Sequence, residues 1–218
     1  MRVAILSAGS YAQVYLSYLR EFSPHNVVGF LDDDPGLQGQ EVSGIPVLGS
    51  LAALPQLAGQ GVEGVFCPLG QNEARLRLLR QARAAGLQTP SFIHPSAELS
   101  RDIQWGATVY VLPGAAIMPY AVLEDAVMIS TMVSIAHHTT LHEGVFVSTG
   151  CKVGANIDIG HCAFLGMGSV LMTGVHTIGA HSLIGAGAVV TRDVPPRAVV
   201  AGVPARVLRF RDGAEGAA

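Results

Sequence analysis

Charged side chains are scarce in this chain: Asp, Glu, Lys and Arg make up 13% of its 218 residues. With a formal net charge of −3, nothing offers the dense cationic surface that nucleic acid or an anionic membrane requires. The most basic stretch, residues 75–83, alternates with Leu and Ala at helical spacing and reads as a solvated helix face. Long hydrophobic runs are also missing. None approaches the ~18 apolar residues of a membrane span, and the run in MRVAILSAGSYA is too short for a signal peptide. Cysteine is sparse. Cys67, Cys151 and Cys162 form no CxxC pair and have no catalytic context, so each reads as a buried small hydrophobe. Their odd number fits a reducing compartment and a cytoplasmic protein. A complete GxGxxG fingerprint is lacking too. The first turn reads Ser7-Ala8-Gly9-Ser10-Tyr11-Ala12, which argues against NAD.

What is present is apolar surface and glycine. Hydrophobic residues reach 50%, mean hydropathy is +0.42, and there are 26 glycines. Such a chain must bury much of its surface in a core or in subunit contacts. Many glycines with few aromatics suit tight turns around a narrow aliphatic core.

Two periodicities divide the chain near residue 92. Before it, apolar strands at 2–6, 27–31 and 62–66 alternate with helices at 11–22, 51–57 and 72–85. That alternation means a small parallel α/β sheet with crossover helices. After it, every sixth residue from position 93 to position 171 is apolar, fourteen times running. Chance gives this about once in ~10⁴ trials, so a hexapeptide repeat is the reading. The fifth position of each hexad is small or β-branched, as at Ala97, Ile103, Val109 and Ala115. Six residues make a short strand and a corner, and three hexads close a triangular coil whose aliphatic side chains stack from coil to coil. Thr177 reads as one extra residue, after which the ladder resumes at Ile178, Ile184 and Val190. The expected domains are 1–92, Rossmann-like, and 93–218, a solenoid whose tail after Arg211, DGAEGAA, reads as unstructured.

The hexads, with FLDD, LGQNEAR, FIHPSA, IMPYAV, IAHHTT and AGVPARVLR, resemble the bacterial nucleotide-sugar N-acetyltransferases. These are left-handed parallel β-helix enzymes that N-acetylate 4-amino-4,6-dideoxysugars on UDP or GDP. The left hand is implied by the resemblance, since ordinary crossover rules favour the right. The resemblance further implies a homotrimer that carries the nucleotide sugar in the N-terminal domain. Acetyl-CoA then lies between neighbouring solenoids as co-substrate, with no bound cofactor and no metal.

Acetyl transfer to an amine needs a base that takes the proton shed as the thioester is attacked, and a histidine suits that task at neutral pH. The resemblance places this base at His137. Related enzymes usually carry an acid at the next position; here it is His138, a neutral partner, with Glu143 a nearby carboxylate in sequence. Phe146, Met167 and Gly185 lie about one coil apart once the extra residue is counted, near one edge, and match the family's acetyl-CoA contacts. Gly9, Ser10 and Tyr11 match its sugar-nucleotide contacts. Asp32 and Asp33, at a strand's C-terminal end, can accept from a base or ribose. Gly70, at the next such end, lets the chain pass close to a ligand.

Three other readings share the fold. Sugar O-acetylation, as in sialic-acid O-acetyltransferases, would use the same His137 on a hydroxyl. A zinc site is suggested by His137 and His142, and by His176 and His181, each pair five apart. The positions about two coils upstream hold Arg101 and Thr140, so that ligand set is incomplete. A non-catalytic nucleotide-sugar-binding protein would bind but not turn over acetyl-CoA.

Overall fold

The computed structural model describes residues 1–211; the tail DGAEGAA lies outside them. Two compact units meet between Pro90 and Ser91. The break falls ahead of the expected one because Ser91 and Phe92 already serve the second unit. Ser91 Oγ accepts from Val109 N at 2.9 Å, and Phe92 pairs with Tyr110.

The first unit runs β1 (Arg2–Leu6), α1 (Ser10–Phe22), β2 (Asn26–Leu31), β3 (Glu41–Val42), β4 (Ile45–Gly49), β5 (Gly64–Phe66) and α2 (Asn72–Ala84). Its sheet has the order β3-β4-β2-β1-β5, parallel except for the edge strand β3. From Val3 to Leu6 every residue of β1 is buried, which is why a central parallel strand reads as an unbroken apolar run. Helix α1 buries Ala12, Tyr15, Leu16 and Leu19, one stripe at spacings of three and four. The β3–β4 hairpin was not expected; it turns on Ser43 and Gly44, both at positive φ, the conformation a two-residue hairpin turn needs. The helix expected at 51–57 is the short 3-10 segment Leu51–Gln56, with Pro55 inside it unable to donate a backbone hydrogen bond. The basic face is not wholly solvated either. Arg77 and Arg80 are exposed, but Arg75 is completely buried, donating to Leu69 O at 2.7 Å and Asn72 Oδ1 at 3.0 Å.

In the sheet, β1 lies between β2, reached through α1, and β5. The strand order therefore reverses beside β1. The C-terminal ends of β1 and β5 flank a crevice, the position where open parallel sheets bind ligands.

The second unit is the left-handed parallel β-helix. Face I is formed by Phe92–Ile93, Val109–Val111, Val127–Ile129, Phe146–Val147, Phe164–Leu165, Leu183–Ile184 and Ala198–Gly202, with Ala205–Phe210 antiparallel at its end. Face II is formed by Glu98–Leu99, Ala116–Ile117, Ser134–Ile135, Lys152–Val153, Val170–Leu171 and Val189–Val190. Face III is formed by Gln104–Trp105, Val122–Leu123, Thr140–Leu141, Asp158–Ile159 and Thr177–Ile178. Partners one coil apart lie eighteen residues apart, as Ile117 with Ile135 and Ile135 with Val153.

The repeat does what its period implies. From Val111 to Leu171 all first-position side chains are buried in one continuous core with fifth-position residues such as Ala115, Val133 and Cys151. Each such aliphatic side chain contributes roughly 1.5–3 kcal/mol by burial. Ile93 and Trp105 stay partly exposed because they belong to the first coil, with none beneath it. The extra residue lies elsewhere than expected. Thr177 takes ordinary strand register opposite Asp158, and the surplus is absorbed in the corner 172–176, where Gly174 has φ 101° and Thr173 bridges Val175. Among the described residues no helix is long and apolar enough to cross a membrane.

Candidate functional site

The solenoid corners set the geometry. From residue 112 to residue 188 each corner has one residue at positive φ, and the residue types differ by corner. Between faces I and II these residues include Gly114, Met132, Gly150, Gly168 and Gly187, so glycine dominates. Between faces II and III they are Tyr120, His138 and Asn156, then Gly174. A non-glycine side chain in this region is costly. The II–III corner thus holds two ring-bearing residues where a glycine would be cheaper.

His137 and His138 project from that corner, both exposed. Their Nδ1 atoms are 3.0 Å apart and their rings meet edge to face, at 5.1 Å and 88°. Tyr120, one coil below, packs its ring 4.8 Å from His138. A hydrogen bond between two Nδ1 atoms requires one to be protonated and the other not. With His137 as donor, its Nε2 carries the lone pair; with His138 as donor, the Nε2 of His138 carries it.

Glu143 is not a partner of this pair. It stands at the opposite edge of face III, at the III–I corner, where its backbone N donates to Glu124 Oε2 at 3.0 Å. His142 occupies the same corner, clamped by Glu124 on Nδ1 at 3.0 Å and Asp158 on Nε2 at 3.1 Å. Burial pulls the His142 pKa down, and the hydrogen bonds to Asp158 and Glu124 more than reverse it, so it lies above the ordinary histidine value. His137 and His142 therefore flank one face rather than converge. Among the described residues no cluster of three or more His, Cys, Asp and Glu side chains is placed to hold a metal ion.

The three donor-side residues occupy successive coils but not one ladder. Phe146 faces outward on face I, aligned with Phe164 and Leu183. Its ring stacks on Phe164 at 5.2 Å and 17°, and it is only 7% exposed. Met167 and Gly185 lie at the I–II corner, and Met167 is 60% exposed. Gly185 has a reason within the chain itself: a Cβ there would stand 2.9 Å from Ala201 Cβ and 3.1 Å from Val200 O. His137 stands at the II–III corner. One chain thus presents the histidine pair and Met167 at opposite edges of face II.

In the first unit the β1–α1 turn is held by Asp32. Its Oδ2 accepts from Ala8 N at 2.7 Å and its Oδ1 from Asp34 N at 2.9 Å. Ser7, where the familiar fingerprint has glycine, keeps a glycine-like φ of 91°. The Ser7 hydroxyl donates to Asp32 at 3.4 Å and accepts from Gly9 N at 3.2 Å. Asp32 is thus engaged in shaping the turn. Asp33 accepts from Leu51 N through Oδ1 and is exposed. Gly9 is the N-cap of α1 without a side-chain cap, and Ser10 and Tyr11 open the helix, so first-turn N–H groups face the crevice. Gly70, across the crevice after β5, is exposed, with nothing within 4 Å of where a Cβ would stand.

Residues 2–82 match the PglD N-terminal domain family. The acetyltransferase domain of PglB from Neisseria gonorrhoeae, solved with acetyl coenzyme A, superposes with a TM-score of 0.87 at 30% identity, covering 95% of this chain and 98% of that one. PerB from Caulobacter crescentus, solved with CoA and GDP-perosamine, gives 0.81 at 34% identity, covering 95% and 97%. The chain belongs to the bacterial nucleotide-sugar acetyltransferase family. Both halves of this nucleotide-sugar acetyltransferase fold are matched in those two structures, not the solenoid alone. The similarity to curated relatives is narrower. Galactoside O-acetyltransferase from Escherichia coli is 42% identical over 87 residues, 39% of this chain and 41% of that protein. The chain spans 27% to 41% of the length of the curated relatives it matches.

Sequence reasoning missed two residues that shape the site, Tyr120 and Arg75. The signal for Tyr120 was its offset of eighteen residues from His138, which puts the two at equivalent positions of successive coils. For Arg75 the signal was the helical stripe that it shares with Asn72, Leu79 and Ala82, at i−3, i+4 and i+7 and all buried; the loop at 69–72 supplies acceptors for it there.

Proposed function

We propose that this acetyltransferase moves the acetyl group of acetyl-CoA onto the 4-amino group of a UDP- or GDP-linked amino-dideoxysugar, with His137 as general base. The His137–His138 contact carries this reading, because with His137 donating through Nδ1 its Nε2 is left as a bare base nitrogen on an exposed corner. The amine nitrogen attacks the thioester carbonyl, the C–S bond breaks, CoA leaves as the thiolate, and Nε2 of His137 accepts the amine proton. Transfer is direct, with no acyl-enzyme. Gly9, Ser10, Tyr11, Asp33 and Gly70 line the nucleotide crevice, and Asp32 shapes it. Phe146, Met167 and Gly185 serve acetyl-CoA. Because the histidine pair and Met167 lie at opposite edges of face II, the active site forms between neighbouring copies of a homotrimer. The two ligand-bound neighbours, one with acetyl coenzyme A and one with CoA and GDP-perosamine, support the choice of ligands. We place the reaction in the cytoplasm, as a reducing compartment suits three buried cysteines that form no disulfide among the described residues.

The test is release of CoA thiol on incubation with acetyl-CoA and a panel of UDP-, GDP- and dTDP-linked 4-amino sugars. One amino sugar is expected to be turned over, and His137→Ala to lower kcat by roughly 10²–10⁴ with both substrates still bound. Near-normal turnover by His137→Ala would sink the base assignment. Turnover of only the matching hydroxyl sugars would make the enzyme an O-acetyltransferase. Nucleotide-sugar binding without any thiol release would make the protein a sensor.

A further inference from the structure

Tyr120 stands where the backbone least favours it. Its φ is 64°, in the left-handed region that a bulky L-residue enters at a cost of order 1–3 kcal/mol. At the same position one coil above His138 the chain uses Asn156, and at the corner after that Gly174, residues that enter this region more easily. The Tyr120 ring does not recover the cost by burial, since the residue is 55% exposed. Its packing partner is the ring of His138, 4.8 Å away and tilted by 41°. His138 is itself at φ 58° and meets His137 edge to face on its other side. Each corner backbone is tied to the coil below it, Tyr120 N to Asp102 O at 3.2 Å and His138 N to Pro119 O, beside Tyr120, at 3.3 Å. The histidine ring can still rotate about its side-chain bonds, and only Tyr120 and His137 are in ring contact with it among the described residues.

We propose that Tyr120 is a positioning residue: its ring holds His138 at hydrogen-bonding distance from His137 and so fixes which nitrogen of His137 is free to take a proton. The proposal rests on the reading of His137 as base, but its first readout does not. A carboxylate next to a catalytic histidine needs little steric help, because its charge draws the imidazole N–H towards it. A neutral imidazole has no such pull, and its acceptor nitrogen is lost on rotation of the ring. Substituting histidine for the acid therefore makes a neighbour that restricts the ring worth having. The phenol oxygen plays no part in this; the flat ring does.

The experiment is ¹⁵N NMR of the imidazole nitrogens in the full chain, without substrates, for the parent protein, Tyr120→Phe, Tyr120→Ala and Tyr120→Asn. The Asn variant keeps the corner's positive φ easy, as Asn156 does one coil beyond His138, so it separates loss of the ring from loss of the turn. In the parent and Tyr120→Phe, His137 is expected as a single tautomer, Nδ1 protonated and Nε2 bare. Tyr120→Ala and Tyr120→Asn are expected to show averaged tautomers. In turnover with acetyl-CoA and the panel of UDP-, GDP- and dTDP-linked 4-amino sugars they should lose about tenfold in kcat, with KM for acetyl-CoA unchanged. Tyr120→Phe should retain the parent kcat. An unchanged single tautomer in both ring-less variants overturns the proposal, as does loss of the tautomer in Tyr120→Phe. Averaged tautomers with unaltered kcat would uphold the positioning role and overturn the assignment of His137 as base.

Discussion

At the scale of single residues, the buried Arg75 is the least expected feature. A guanidinium with no solvent exposure is retained only if its donors are met, and here they reach Leu69 O and Asn72 Oδ1 across the segment that carries Gly70. Arg75 thus ties α2 to the loop flanking the crevice. Its charge also acts on Cys67. Burial pushes that thiol up to about 12, and Arg75 works in the opposite direction. Arg75→Met is expected to destabilise the first unit by at least roughly 3 kcal/mol, since the bonds to Leu69 O and Asn72 Oδ1 alone are charge-assisted and worth about 1.5 kcal/mol each. Urea unfolding followed by circular dichroism, with nucleotide-sugar affinity measured alongside, checks this. A loss below about 1 kcal/mol would show that the loop does not depend on the guanidinium. Grouping Arg75 with the exposed Arg77 and Arg80 by charge overlooks the helical stripe that it shares with the buried Leu79 and Ala82. What periodicity does not encode is the partner that makes its burial tolerable, a loop carbonyl six residues earlier.

At the scale of elements, the solenoid was legible almost completely and the site only in part. A hexad with an apolar first and small fifth residue leaves one way to stack, so the register of Ile117, Ile135 and Val153 followed directly from counting. Counting also gives the corner to which each polar residue belongs, and that is where the site reading needed correction. Glu143 is six residues from His137, close in sequence, yet six residues is one side of the triangle. The extra residue was misplaced for a related reason: an inserted residue can be absorbed anywhere in the corner 172–176 without disturbing the stacked Leu171 and Ile178. One element-level device emerges only in three dimensions. His142 joins Glu124 and Asp158, residues from the coils on either side of it. Its pKa is raised in the folded chain from the ordinary 6.5, so the clamp's contribution is full below pH 6.5 and is lost as pH rises through the folded value. His142→Gln is therefore expected to melt about a degree lower than the parent near pH 6, with the gap narrowing as pH rises above the ordinary histidine value. A gap independent of pH would mean that packing, not protonation, gives His142 its weight.

At the scale of the whole molecule, the proposed site draws on corners that one chain holds apart. The histidine pair is at the II–III corner and Met167 at the I–II corner, with face II between them. The outward residues of that face are Glu98, Ala116, Ser134, Lys152, Val170 and Val189, small or aliphatic apart from the two charged ones. If neighbouring copies of the proposed trimer bring one chain's His137 to the next chain's Met167, two different inactive variants should repair each other. His137→Ala removes the base, and Met167→Trp blocks the donor edge with a bulkier ring at an exposed position. Each alone is expected to be inactive. Co-expressed in equal amounts with different affinity tags and purified through both, they form mixed assemblies. In an unselected mixture about a quarter of the clefts would pair an intact His137 with an intact Met167, by random assortment around a closed ring. Purification for both tags raises that share to about a third, since every mixed trimer has one such cleft in three. Activity at roughly that fraction of the parent's is the expected outcome. Activity at the background of the two separate variants would mean that the base and the donor edge belong to the same chain, and the site would have to be rebuilt around a single solenoid.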